Sequence, residues 1–388
     1  MIRSIVGHGD AVAALNRSLA EGRLAHAYLF VGPPGVGKAT LALALAKALN
    51  CRQPDPPCDA CSTCRRIDAG KHSDVERVQP GGICDESEHD HSADTSRDIR
   101  ICQVRRAERV LGIAPFEGGR RVLILDPADA LNQQSADAFL KTLEEPPNGA
   151  VLVLVTADEG ALVETIRSRC RRVDLRALPV AETERALVER FDAAPEQAAR
   201  LARLFGGRIG QAVLALRDPD FDARRAAMVD LAMEVATSGL VDRFTVAERL
   251  ADAYSRRDRP PKTDGSLRST TSADGETPAA PPADGKARGR VDVFAALDLW
   301  IEWWRDLLLV AGGADAVIVN KEHATELHRL APAFGVEGAF AGIVALREAR
   351  RDLEQNINPR LALEALMLRL PRVGNREQDA GNKIRTIV

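Results

Sequence analysis

The stretch 27-AYLFVGPPGVGKATLALALAKALN-50 decides the fold. A short apolar run leads into a glycine-rich loop, 32-GPPGVGKAT-40, and the loop runs into a series of strong helix formers. Strand, glycine loop and helix, with Lys38 directly after the second of two glycines five apart, make the pattern of a phosphate-binding loop. In such a loop the backbone N–H groups and the helix dipole hold phosphate oxygens. The candidate nucleotide-binding residues of a degenerate site are therefore Gly32, Gly35, Gly37, Lys38 and Thr40, with Asp126 further along the chain, the lysine reaching the outer phosphates. The pattern next asks for Ser or Thr to hold Mg²⁺. Ala39 stands there and has no oxygen to offer; Thr40 comes one residue late, about 100° further round the helix. The plain alternative is a glycine-rich turn that binds nothing.

Working outward, 121-RVLILD-126 and 150-AVLVLVTA-157 are apolar runs, and 171-RRVDL-175 is a further short strand. Helical patterns at 10–24, 99–111, 132-NQQSADAFLKTLEE-145 and 160–169 alternate with them. Near-continuous Val/Leu strands alternating with helices imply a parallel sheet covered on both faces. This α/β domain is expected over residues 1–177. Helices alone follow, with a small helical domain expected at 178–220 and a longer one at 221–388. Within the latter, helices are expected at 320–331 and 337–356, and a last one at 359–370 begins on a proline suited to a first helical turn. The segment 256–290 is rich in Pro, Gly, Ser, Thr and charge and is expected to be a disordered linker.

The 388 residues are 45% apolar and 28% charged, the composition of a globular protein of two or three domains. No apolar run reaches the length of a membrane span, and the first residues lack a signal-peptide pattern, so a cytoplasmic protein with no membrane partner is expected. A net charge of −3 argues against a simple cationic nucleic-acid binder. Arginines cluster at 99–110 and 166–176, and acids at 85–98; each reads first as a solvated surface.

Three further features carry chemistry. Asp126 ends a buried strand, where phosphoryl-transfer sites of this class place a Mg²⁺ ligand. Pro127 follows it and has no group to orient an attacking water, while Asp129 falls in the next turn. Cys51, Cys58, Cys61 and Cys64 have the spacing C-x₆-C-x₂-C-x₂-C, and four thiolates suit a closed, structural tetrahedral Zn²⁺ site in a module at about 50–66. Free thiols and an iron–sulfur cluster are the alternatives. Arg169, in 168-SRC-170, lies between a helix and a strand; a guanidinium at a domain edge can stabilise phosphoryl-transfer charge on a neighbour's nucleotide, although surface position alone favours an ordinary arginine.

The loop, the cysteine quartet, RVLILD, AFLKTLEEPP and SRC, in that order, resemble the bacterial clamp-loader AAA+ subunits of DNA polymerase III over about residues 2–175. Near the other end 303-WWRDLLL-309 and 358-NPRLALEALMLRL-370 support the likeness. The resemblance implies an AAA+ P-loop domain, a helical lid at 178–220 and an all-α collar at 221–388. It implies a hetero-pentamer with gamma/tau and delta subunits, acting on a sliding clamp and, through the assembly, on primed DNA. Ala39 and Pro127 depart from the ATPase pattern of the family. So does the segment 206-GGRIGQAV-213, where Gly210 or Gln211 stands in place of a nucleotide-sensing arginine and Arg208 is out of register. The resemblance therefore implies a stator-like subunit with Zn²⁺ and a doubtful ATP site, whose Arg169 serves a neighbouring motor in trans. An active motor of the family, and a stand-alone zinc-containing nucleotide or nucleic-acid binding module, are the alternatives.

Overall fold

The computed structural model describes residues 1–373 apart from 3–4, 85–97, 118, 258–292 and 356. The acidic stretch and nearly all of the expected linker lie outside the described residues. The chain divides into two compact units, Met1–Asp218 and Pro219–Val388.

The first unit is built on five parallel strands: β1 Ala27–Val31, β2 Val75–Val78, β3 Val122–Leu125, β4 Val151–Thr156 and β5 Arg171–Asp174, in the order β2-β3-β4-β1-β5. Their alternate residues bury in opposite directions. Tyr28, Phe30, Ile124, Val153 and Val155 pack with Leu15 of α1 (Gly9–Ala20) and with Leu41 and Leu45 of α2 (Lys38–Asn50). Leu29, Leu123, Leu125, Leu152 and Leu154 pack with Val104 of α4 (Ile101–Gly112) and Phe139 of α5 (Gln133–Glu144). Both faces are covered, which is why the central strands read as unbroken apolar runs. Between α2 and β2 lies α3 (Ser62–Asp68), inside the cysteine segment. The helix expected at 160–169 is shorter: a 3-10 turn at Glu159–Ala161 precedes α6 (Glu164–Arg167), because the Asp158 carboxylate caps the Gly160 N–H at 2.8 Å. Helices α7 (Val180–Phe191), α8 (Pro195–Leu204) and α9 (Ile209–Leu216) complete this unit.

Among its described residues the second unit has helices and no strand: α10 (Phe221–Thr237), α11 (Leu240–Arg257), α12 (Val293–Ala311), α13 (Ala324–Glu354) and α14 (Pro359–Arg369), with two short 3-10 turns between α12 and α13. Trp300, Trp303 and Trp304 of α12 are buried at its centre. The buried Arg243 guanidinium donates to the carbonyls of Ala236, Met367, Leu370 and Pro371, tying α11 to the end of α14. The two helices expected at 320–331 and 337–356 form one kinked run, α13, with Gly335 at φ 64°. By length and composition α13 could cross a membrane, but Leu327, Leu330, Phe334 and Leu346 bury into this core. At Gly342 a Cβ would stand 2.4 Å from the ring of Trp304. Gly342→Ala is accordingly expected to lower stability by about 1–3 kcal/mol, the usual cost of overpacking. An unchanged melting temperature by calorimetry would show that the contact relaxes freely.

Candidate functional site

The glycine loop joins β1 to α2, as the sequence requires, and Gly35 and Gly37 adopt φ 79° and 105°, which side-chain-bearing residues rarely do. The buried Lys38 ammonium turns back to donate to the carbonyls of Gly32 and Pro33, the latter at 2.8 Å. Burial lowers its pKa from the ordinary lysine value, while Asp126 and Asp129 pull in the opposite direction. The Gly35 carbonyl accepts the N–H of Gly210 at 2.7 Å, and a Cβ on Gly35 would stand 2.4 Å from the Gln211 side chain. Gly210 and Gln211 thus sit on the loop. Arg208 does not: its Nε donates to the Phe205 carbonyl at 2.9 Å. Ala39 is half-buried and Thr40 exposed.

At the end of β3, the Asp126 carboxylate is 2.5 Å from the Arg77 guanidinium of β2. Asp129 accepts the Thr156 hydroxyl at 2.6 Å and the Ala157 N–H at 3.3 Å, linking the turn to the end of β4. These residues do not fit a Mg²⁺ site. Ala39 lacks a ligand atom, Pro127 lacks a carboxylate, Asp126 is paired with a cation and Asp129 is held by the protein.

The four cysteines do converge. The Sγ atoms lie within 4.8 Å of one another, with Cys51–Cys58 at 3.7 Å, Cys51–Cys61 at 3.9 Å and Cys58–Cys64 at 4.0 Å. A tetrahedron of sulfurs, each about 2.3 Å from a central Zn²⁺, has edges of about 3.8 Å, so the set fits such an ion. Local backbone geometry builds it: Cys51 caps α2, the Cys61 N–H donates to Cys58 Sγ at 3.3 Å, and the Cys64 N–H to Cys61 Sγ at 3.4 Å. The N–H groups of Ala60 and then Cys61 pull the Cys58 thiol down to about 6, and burial pushes Cys64 up to about 12. Lys47 of α2 reaches Asp59 and Asp68, pinning the segment to the α/β core.

Arg169 follows α6 and keeps a partly exposed guanidinium. It donates to the Thr165 carbonyl at 2.9 Å and to Glu144 Oε1, at the end of α5, at 2.6 Å. Its bonds therefore run to α5 and α6 and not to the glycine loop. Sequence reasoning left Glu144 without a role and missed β2 and Arg77 altogether. The only signal for β2 was the two Val residues that flank Glu76 and Arg77 in 75-VERV-78.

The family model for the DNA polymerase III delta subunit matches residues 7–179, and that for the delta subunit's C-terminal part matches residues 292–372. DNA polymerase III subunit delta' of Bacillus subtilis is 32% identical over 218 residues, 56% of this chain and 61% of that protein. The delta' subunit of Pseudomonas aeruginosa is 37% identical over 148 residues, 38% of this chain and 42% of its own. Subunit tau of Escherichia coli is 35% identical over 185 residues, 47% of this chain and 26% of its own. The aligned part thus spans less than two thirds of each of these relatives. With the parallel α/β unit, the glycine loop and the helical second unit in place, these matches put the chain in the clamp-loader family of DNA polymerase III subunits.

Proposed function

We propose that the chain is the delta-prime, stator-like subunit of the clamp loader, which holds its neighbours in place and does not turn over ATP itself. The observation that carries this reading is the contrast between two places in the first unit. The glycine loop is closed on its own lysine and lacks a Mg²⁺ ligand set, whereas Arg169 presents a guanidinium oriented by Glu144. In the loader, Arg169 would stabilise the charge that develops on the phosphoryl group at a gamma/tau subunit's ATP, an interaction worth about 10³–10⁵ in rate where such fingers act. The exposed Arg169–Glu144 pair adds little stability, since such pairs contribute about 0–1 kcal/mol. Its value lies in aiming the guanidinium. The hetero-pentamer with gamma/tau and delta, the sliding clamp, primed DNA and a cytoplasmic place at the replisome belong to this proposal.

The cysteine cluster is proposed to hold one Zn²⁺ as a structural cross-link. Cys51, Cys58, Cys61 and Cys64 would fill all four positions and leave none for substrate.

The 35% identity to a tau subunit favours a second reading, an active motor. ATP turnover by the purified chain separates the two. Turnover at background level is expected. Robust Mg²⁺-dependent hydrolysis that disappears in Lys38→Ala would overturn the stator reading.

A further inference from the structure

The pairing of strands β2 and β3 sets Arg77 opposite Ile124, whose side chain packs with Leu41 and Leu45 of α2. In a parallel pair, residues in register face the same side, and the side chain two positions on returns to it. Asp126 continues the ladder, its N–H donating to the Val78 carbonyl at 3.1 Å. Arg77 and Asp126 therefore meet on the sheet face that carries the loop helix, 2.5 Å apart. The Asp126 carboxylate is mostly covered, with 16% of its side chain exposed, against 38% for Arg77. Lys38 is within electrostatic reach of the same carboxylate. A divalent ion arriving at Asp126 would have to displace a bound guanidinium and settle near a second cation, with no hydroxyl from residue 39 to complete its shell.

We propose that Arg77 is a built-in counter-cation for Asp126, a specificity-determining residue that excludes divalent metal from the nucleotide loop. It is a further lock on the site beside Ala39 and Pro127, and it lies outside the motifs that define the loop. Restoring the missing hydroxyl alone would not restore the metal site.

The inference rests on the reading that the loop does not hydrolyse ATP, but its test is separate. Hydrolysis by the native chain would refute that reading; binding of Mn²⁺ alone, followed by loss of the free-ion electron paramagnetic resonance signal with the cysteine cluster loaded, judges Arg77. Ala39→Thr is expected to bind Mn²⁺ no better than the native chain. Ala39→Thr with Arg77→Gln is expected to gain one site at least about tenfold tighter, and Asp126→Asn should abolish the gain. Arg77→Lys, which keeps the charge, should leave Mn²⁺ excluded. Equal affinity with and without Arg77→Gln, or a gain that survives Asp126→Asn, would overturn the proposal. Should Arg77→Gln fail to fold, native and Asp126→Asn chains carry the test. Equal Mn²⁺ affinity supports the lock, and a tenfold loss on Asp126→Asn means that Asp126 already holds metal.

Discussion

Cys64→Ser is expected to release the metal from the cysteine cluster and to unfold the segment around residues 51–68 while the parallel sheet stays folded. The segment has little else to hold it. Its one helix, α3, has seven residues, of which only Cys64 and Ile67 are buried. A helix that short does not persist by itself in water. Structural Zn²⁺ sites in small peptides contribute apparent binding energies of about 10–16 kcal/mol at neutral pH, far more than two buried side chains supply. The ion pairs of Lys47 with Asp59 and Asp68 fasten the segment to α2, but both partners lie on the segment whose shape the proposed metal would fix. Native protein should carry about one Zn²⁺ per chain by elemental analysis, as a full set of four thiolates demands. The variant should carry close to none, and trypsin should cut it rapidly at Arg52, Arg65 or Arg66. A metal-free native protein that resists trypsin equally well would remove the structural role.

Arg169→Ala should cost the assembled loader most of its ATP turnover at the neighbouring site, by a factor of about 10³–10⁵, without dissolving the complex. Arg169→Lys is expected to rescue little, because an ammonium cannot reproduce the planar fork of a guanidinium. Glu144→Gln should produce a smaller loss: the Thr165 carbonyl still holds one nitrogen of Arg169, but the charge that aims the other is gone. Clamp-loading rate and ATPase, measured on loaders shown intact by gel filtration, separate these outcomes. An Arg169→Ala loader with unchanged turnover would leave Arg169 a surface residue.

Much of the sheet was legible because β1, β3 and β4 are covered on both faces, so burial wrote itself into the sequence as unbroken apolar runs. Strand β2 was not, because ion pairs stand where apolar contacts would. Glu76 pairs with Arg106 of α4 on one face and Arg77 with Asp126 on the other. Charged residues in a four-residue segment look like loop until the neighbouring strand supplies their partners. The convergence of the four cysteines was legible from spacing because they lie close together in the chain and the local backbone sets their geometry. Arg169 stood out in the sequence, but its orienting partner Glu144 lies 25 residues away and is brought to it only by the packing of α5 against α6. The hydrogen bond from the Gly210 N–H to the Gly35 carbonyl likewise joins the loop to a residue far along the chain.

The proposed contribution of this chain to ATP chemistry comes from Arg169 acting on a neighbour, and not from its own glycine loop. The most direct test is steady-state ATPase of loaders reconstituted with native, Lys38→Ala or Arg169→Ala chains. Lys38→Ala should match native turnover, and Arg169→Ala should fall well below it. The reverse order, with Lys38→Ala depressed and Arg169→Ala unchanged, would contradict the account.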